Sequence, residues 1–184
     1  MHKNRWAAVA LVASAAVVAA SCTNKQGETE APVSISVSLT DQAGLTNLNP
    51  PQTITIPTMV LQSRLKNPND TNPAGFANVQ LSYYTVTYRR ADGGTRVPPV
   101  QTFAAGHEID TPGTDTLTDF PVLSQTASQG SPFDQLNPIN GGIDRETNSN
   151  EIRMFYDVVF YGQTISGQRV KSETATGVRI FIFQ

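Results

Sequence analysis

The stretch Asn78-Val79-Gln80-Leu81-Ser82-Tyr83-Tyr84-Thr85-Val86-Thr87-Tyr88-Arg89-Arg90 decides the fold. Its apolar residues recur every second position, the period of a strand with one face buried. Val79 and Leu81 share one parity, while Tyr84, Val86 and Tyr88 share the other. A strand that changes parity without a break needs one extra residue, so a bulge is expected near Ser82-Tyr83. Ala91-Asp92-Gly93-Gly94 follows and reads as the tight turn of a hairpin.

The same period recurs on both sides. Upstream, Val33, Ile35, Val37 and Leu39 alternate with Ser34, Ser36 and Ser38. Asp41 to Pro51 reads as a loop, and Thr53 to Gln62 as the next strand. In that strand Ile54 and Ile56 take one parity, and Met59 and Leu61 the other, with Pro57 between them. A proline at a phase change predicts a bulge or an edge strand. Lys66 to Gly75 is a cluster of turn residues.

Downstream, strands are expected at Val97 to Ala105 and, after the turn Thr111-Pro112-Gly113, at Thr116 to Leu123. Ile152 to Tyr161 is apolar on both faces, interrupted on one by Asp157, as suits a central strand. Gln168 to Glu173 and Val178 to Phe183 complete the series. Ser124 to Asn150 is long and mostly polar, with one short helix expected at Ser131 to Leu136. About eight strands divided by turn signals predict an all-β sandwich. With a single cysteine, no internal disulfide can form, so apolar burial must hold the sheets together.

The first residues carry an address. His2-Lys3-Asn4-Arg5 is a basic start, followed by the apolar run Trp6 to Ala20. Such a pattern is a secretory signal, and the run falls short of the roughly 20 apolar residues of a comfortable membrane span. It ends in Ala19-Ala20-Ser21-Cys22, which resembles the lipobox of bacterial lipoproteins. The resemblance implies removal of residues 1–21 and a diacylglyceryl group on Cys22, the sole cysteine. More than one hydrocarbon chain suffices for stable attachment to a membrane. Residues 22–32 then form a lipidated, flexible tether, and 33–184 a single domain. Thr23 and Asn24 follow the cysteine where enteric inner-membrane lipoproteins carry aspartate, so the expected address is the outer membrane of a cell envelope.

Without Lys3 and Arg5 the chain keeps 11 basic residues against 15 acidic ones, a net charge of −4. No basic excess remains to hold phosphates, so nucleic-acid binding is not expected. Anionic head groups would not draw the domain either, leaving attachment to the lipid.

Two segments resemble immunoglobulin-like and fibronectin type III-like domains. Tyr84 to Gly93, YTVTYRRADG, is similar to their third strand and hairpin turn. Phe160 to Gly167, FYGQTISG, with the strand after it, is similar to the last hairpin of such domains in small uncharacterised bacterial lipoproteins. The resemblance implies an immunoglobulin-like sandwich, although the paired cysteines and core tryptophan are missing and Trp6 lies in the signal.

Residues suited to chemistry are few. His107, in Gly106-His107-Glu108-Ile109-Asp110, is the only histidine after the signal and the only candidate base for a hydrolase. The spacing of Gly162, Ser166 and Gly167 does not make a nucleophile elbow. Asp115 and Asp119 are candidates for a glycosidase carboxylate pair only in the sense that any two acids would be. Asp144 to Glu151 places oxygen side chains at alternate positions, a pattern that suits calcium. Ser149 and Phe155 stand where an EF-hand would have glycine and glutamate, so a solvated turn is the plainer reading. No metal or cofactor is expected.

The expectation is therefore a non-enzymatic binding or structural module held to membrane lipid and facing an envelope protein or a glycan. The long Ser124–Asn150 loop and an aromatic surface of Tyr83, Tyr161 and Phe133 are its expected contact sites. Two other readings are a carbohydrate-binding module that uses the strand tyrosines and a hydrolase centred on His107.

Overall fold

The computed structural model describes residues 31–40, 43–72 and 75–184. The expected signal, Cys22 and the expected tether up to residue 30 lie outside the described residues. The described residues form an all-β sandwich of nine strands in two sheets. Strands β1 (Val33–Leu39), β3 (Ile54–Leu65) and β6 (Gly113–Leu123) make one sheet in the order β1-β3-β6. The other holds β2 (Ala43–Asn47), β9 (Ala175–Ile182), β7 (Glu151–Thr164), β4 (Val79–Arg90) and β5 (Gln101–Ile109), in that order. The short β8 (Arg169–Lys171) pairs with β7 at one end.

β4 carries the expected bulge, and the irregularity crosses three strands. Leu81 pairs with Gly162 and Tyr83 with Tyr161, so Ser82 has no counterpart on β7. On the other side Leu81 pairs with His107 and Tyr83 with Ala104, so Ala105 and Gly106 together answer Ser82. Gly106 takes the left-handed φ of 55°, which glycine adopts without a Cβ penalty. Each strand thus has one residue more than its neighbour, and the slip turns both Leu81 and Tyr84 inward, where they are buried. Gly162 sits at the inner limit of this bulge because any Cβ there would run into the backbone of Gln80 and Leu81.

The phase change at Pro57 has a different cause from the one expected. β3 is the middle strand of its sheet, and its register shift against β6 falls between Ile54 and Thr55 instead. Among the described residues pairing with β1 reaches only to Met59, so there Pro57 has a paired strand on the β6 side alone. A missing N–H is tolerated there. Asp119 on β6, between the pairs Ile56–Phe120 and Thr58–Thr118, has a φ of 52°. Both strands change phase at the same level, so Ile56, Met59 and Phe120 are all buried with the register intact.

Tyrosines bind the sheets to each other. Tyr84 lies 4.0 Å from Phe120 and 5.2 Å from Phe160, centroid to centroid, and its hydroxyl donates to the Pro121 carbonyl at 2.7 Å. The Tyr88 hydroxyl donates to the neighbouring carbonyl, that of Val122. A buried tyrosine needs such a partner for its polar end.

Several expectations need correction. Ala43–Asn47, read as loop, is a parallel strand on β9 and brings the count above eight. The Asp92-Gly93 turn is not tight: the last β4–β5 pair is Val86–Gln101, and residues 91–100 form a longer connection. The short helix near Phe133 is a 3-10 turn, Phe133–Leu136, without a side-chain cap. A separate helix α1, Gln125–Ser128, is capped by the Ser124 side chain, which accepts from the Ala127 N–H.

Strand directions fix two ends of the molecule. β1 begins beside Leu65, and the Lys66 N–H donates to the Pro32 carbonyl, so the chain starts at the end bearing loops 66–78 and 165–168. β6 runs away from that end, and residues 124–150 lie beyond its far terminus. Twelve residues of β4 or β3 separate the ends, about 40 Å at strand rise.

Candidate functional site

Residues 124–150 form a folded cap rather than a loose loop. Phe133 is buried with its ring 4.5 Å from that of Phe181 on β9, and Leu136 is buried beside it. Phe133 is therefore core and not part of a binding surface; the 3-10 turn rotates it inward, where apolar burial favours it. The Gln135 side chain accepts from the Arg145 N–H at 3.1 Å, and the Ser128 hydroxyl donates to the Gln52 carbonyl at 3.2 Å. What the cap leaves outside is Ile139, 90% exposed on the short 3-10 turn Pro138–Asn140, with Ile143 nearby in sequence.

The oxygen-rich segment after Gly142 closes on Arg90. One guanidinium nitrogen lies 2.5 Å from Asp144, and the same group binds Asp92 at 2.7 Å. Arg90 and Asp144 side chains are 2% and 0% exposed. Thr147 donates its hydroxyl to Asp144 at 2.7 Å, and Glu146 takes the N–H groups of Thr95 and Arg96 at 2.8 and 3.0 Å. Burial pushes the Asp144 carboxyl up, but the hydrogen bonds from Thr147 and Arg90 outweigh it and hold it below the usual range. Hydrogen bonds from the Arg96 backbone and from Thr95 bring Glu146 down to about 2. The cationic position in this loop is thus filled by a side chain. Among the described residues no group of three or more His, Cys, Asp or Glu is placed to hold a metal ion.

Tyr83 and Tyr161 do come together. They are a cross-strand pair on the outer face of the larger sheet, rings stacked 4.9 Å apart at an interplanar angle of 14°. The Lys171 ammonium lies 5.9 Å from the Tyr161 ring centre, so the series reads Lys171, Tyr161, Tyr83 across three strands. Tyr83 is 41% exposed, and its neighbour on β5 is the small Ala104. That leaves one aromatic face uncovered, the geometry on which a flat ring or the apolar side of a sugar stacks.

His107 is a residue of β5 and hydrogen-bonds Asp115 across the gap between β5 and β6. Asp115 is held below its usual range chiefly by that bond. Among the described residues Asp115 is the imidazole's one side-chain partner, so base and orienting acid are present without a bonded hydroxyl nucleophile. Asp115 and Asp119 sit four residues apart on β6, and the Asp115 carboxylate is engaged by His107. Beyond His107 the gap continues as an open cleft of about 440 Å³ lined by Tyr84, Phe103, Leu117 and Phe120.

Sequence reasoning missed Arg90, because its partners lie two and 54 residues away. The one signal available was the crowding of acids at Asp144, Glu146 and Glu151 around the single Arg145. Comparison with known proteins adds no family: no family model matches the chain, and no curated protein matches it. Among the described residues no helix is long and apolar enough to cross a membrane.

Proposed function

We propose that the chain is a lipid-anchored lipoprotein of the bacterial envelope, at the outer membrane, whose sandwich is a non-enzymatic binding module. The observation that carries this reading is the opposition of the two ends. The described chain starts at one end, nine residues after Cys22. The cap of residues 124–150 lies at the other end, pinned by Phe133 and Asp144 and exposing Ile139. A fixed surface loses little conformational freedom on binding, which favours recognition. An anchored module gains most from such a surface where it points away from the membrane. The partner is an envelope protein, since an exposed isoleucine on a rigid turn suits a protein pocket. The immunoglobulin-like likeness is part of the same proposal, supported by the two-sheet packing and the mostly antiparallel ladders.

The test is replacement of Asn137–Gly142 by a Gly-Ser linker of equal length in the full lipidated chain. Cross-linked envelope partners should disappear while the melting temperature holds. Partners that survive the exchange would overturn the cap as the binding surface.

A second reading rests on the Tyr83–Tyr161 stack: a carbohydrate-binding face. Binding to envelope glycans that disappears in Tyr83→Ala would favour it over the cap.

A further inference from the structure

Two large apolar side chains stand exposed at the end where the chain starts. Phe76 is 62% exposed and Ile165 50% exposed. Their loops are joined: the Ser166 N–H donates to the Phe76 carbonyl at 3.1 Å, and the Ile165 N–H to the Asn78 carbonyl at 2.9 Å. A hollow of about 390 Å³ is lined by both Pro32 and Phe76, so the aromatic ring flanks the path by which the chain arrives. The nearby carboxylates of Asp70 and Asp110 each accept from an asparagine amide, Asn67 and Asn78, at 2.9 and 2.7 Å.

We infer that Phe76 and Ile165 form a shallow contact with the bilayer surface that stands the domain on this end. The inference rests on the proposed lipidation of Cys22. From Cys22 to Ala31 there are nine residues, which reach at most about 32 Å even when fully extended. The start of the sandwich therefore stays within that reach of the head groups, and the apolar pair lies at the end the tether brings nearest to them. Aromatic and aliphatic side chains partition into the interfacial zone of a bilayer. The net charge of −4 on the processed chain argues against attraction to anionic lipid, so the contact has to be apolar. A contact besides the acylated cysteine limits tumbling about the tether, and Ile139 is left facing outward.

The chain has one tryptophan, Trp6, which the proposed cleavage removes. Phe76→Trp and, separately, Ile139→Trp then each give the processed protein a single indole. Both are placed in the full lipidated chain and reconstituted into phosphatidylcholine vesicles with bromine on the acyl chains. Mass spectrometry of the purified protein reads Cys22 independently. With Cys22 lipidated, the emission of the Phe76→Trp variant should shift to the blue and lose most of its intensity to bromine, while that of Ile139→Trp is unchanged. Ile165→Trp, on the adjoining loop, should behave as Phe76→Trp does and serves if the first variant misfolds. Unquenched indoles at both 76 and 165 on a lipidated chain would overturn the contact and leave the lipoprotein reading standing. Equal quenching at 76 and 139 would also overturn it, because the domain would then lie on its side. A bare Cys22 would overturn both.

Discussion

The guanidinium of Arg90 meets the carboxylate of Asp144 at 2.5 Å with both side chains shut away from water. One is the last residue of β4 and the other lies in the cap, so the pair fastens the cap to the larger sheet. It does in this loop what a bound cation does in others, with the charge supplied by the chain itself.

Arg90→Leu leaves Asp144 buried without its counter-charge. Breaking one side of a buried pair costs about 3 kcal/mol or more. Urea unfolding should show that loss, and amide exchange should accelerate through residues 133–150 first. Replacing both partners by leucine should recover part of the stability, because no charge is then stranded.

Acid should loosen the same junction. Asp92, Asp144 and Glu146 are all held below their usual range, Glu146 at about 2. Each therefore binds its proton less readily folded than unfolded. The resulting stabilisation is complete above the ordinary carboxylate range, near pH 4, and is lost as pH falls from there toward 2. Urea midpoints measured across this window should drop with acid, and Glu146→Gln should flatten the slope.

Phe133→Ala should cost about 3 to 5 kcal/mol, as for other large-to-small changes in a core, since Phe133 is 1% exposed. Tyr83→Ala, on the open face, should cost less than about 1 kcal/mol, its loss being the stack with Tyr161. Thermal melts of the two variants side by side test the division between core and surface. A similar cost for both would contradict it.

Gly162→Ala should destabilise strongly although only a methyl group is added. The new Cβ meets the Gln80 carbonyl oxygen and the Leu81 backbone, neither of which can move without undoing the bulge. Gly93→Ala makes a useful contrast: its Cβ would meet nothing within 4 Å, so the cost there comes only from a φ of 90°. Chemical denaturation should rank Gly162→Ala well below Gly93→Ala.

Alternation made most strands legible. β7 buries the residues its parity indicates, as does β1 apart from the half-buried Val37, and the slip at Ser82 is a bulge because a strand has no other way to keep Leu81 and Tyr84 on one side. β2 was hidden for the opposite reason: Leu45 is 64% exposed, Thr46 is buried, and Gly44 makes room for the Arg179 side chain. Its pairing comes from β9, far along the chain, and leaves no local period. Of the expected contact residues, Tyr83 and Tyr161 met because strand register puts them opposite each other. Phe133 went inside because a single apolar residue in a polar loop reads the same whether it faces a partner or the core. The Arg90 junction depends on two loops, residues 91–100 and the cap, meeting at the end of β4, which no window of sequence displays.

The direction of β1 has a mechanical corollary. It leaves the end of the sandwich that the proposed tether would reach and runs toward the cap, paired along seven residues with antiparallel β3. Tension between the start of the chain and a partner gripping the cap would pull along these strands. Ladder bonds lie across the strand axis, so all of them would be loaded together in shear instead of being peeled off one by one. The sandwich is oriented to resist being drawn apart between its two proposed attachments.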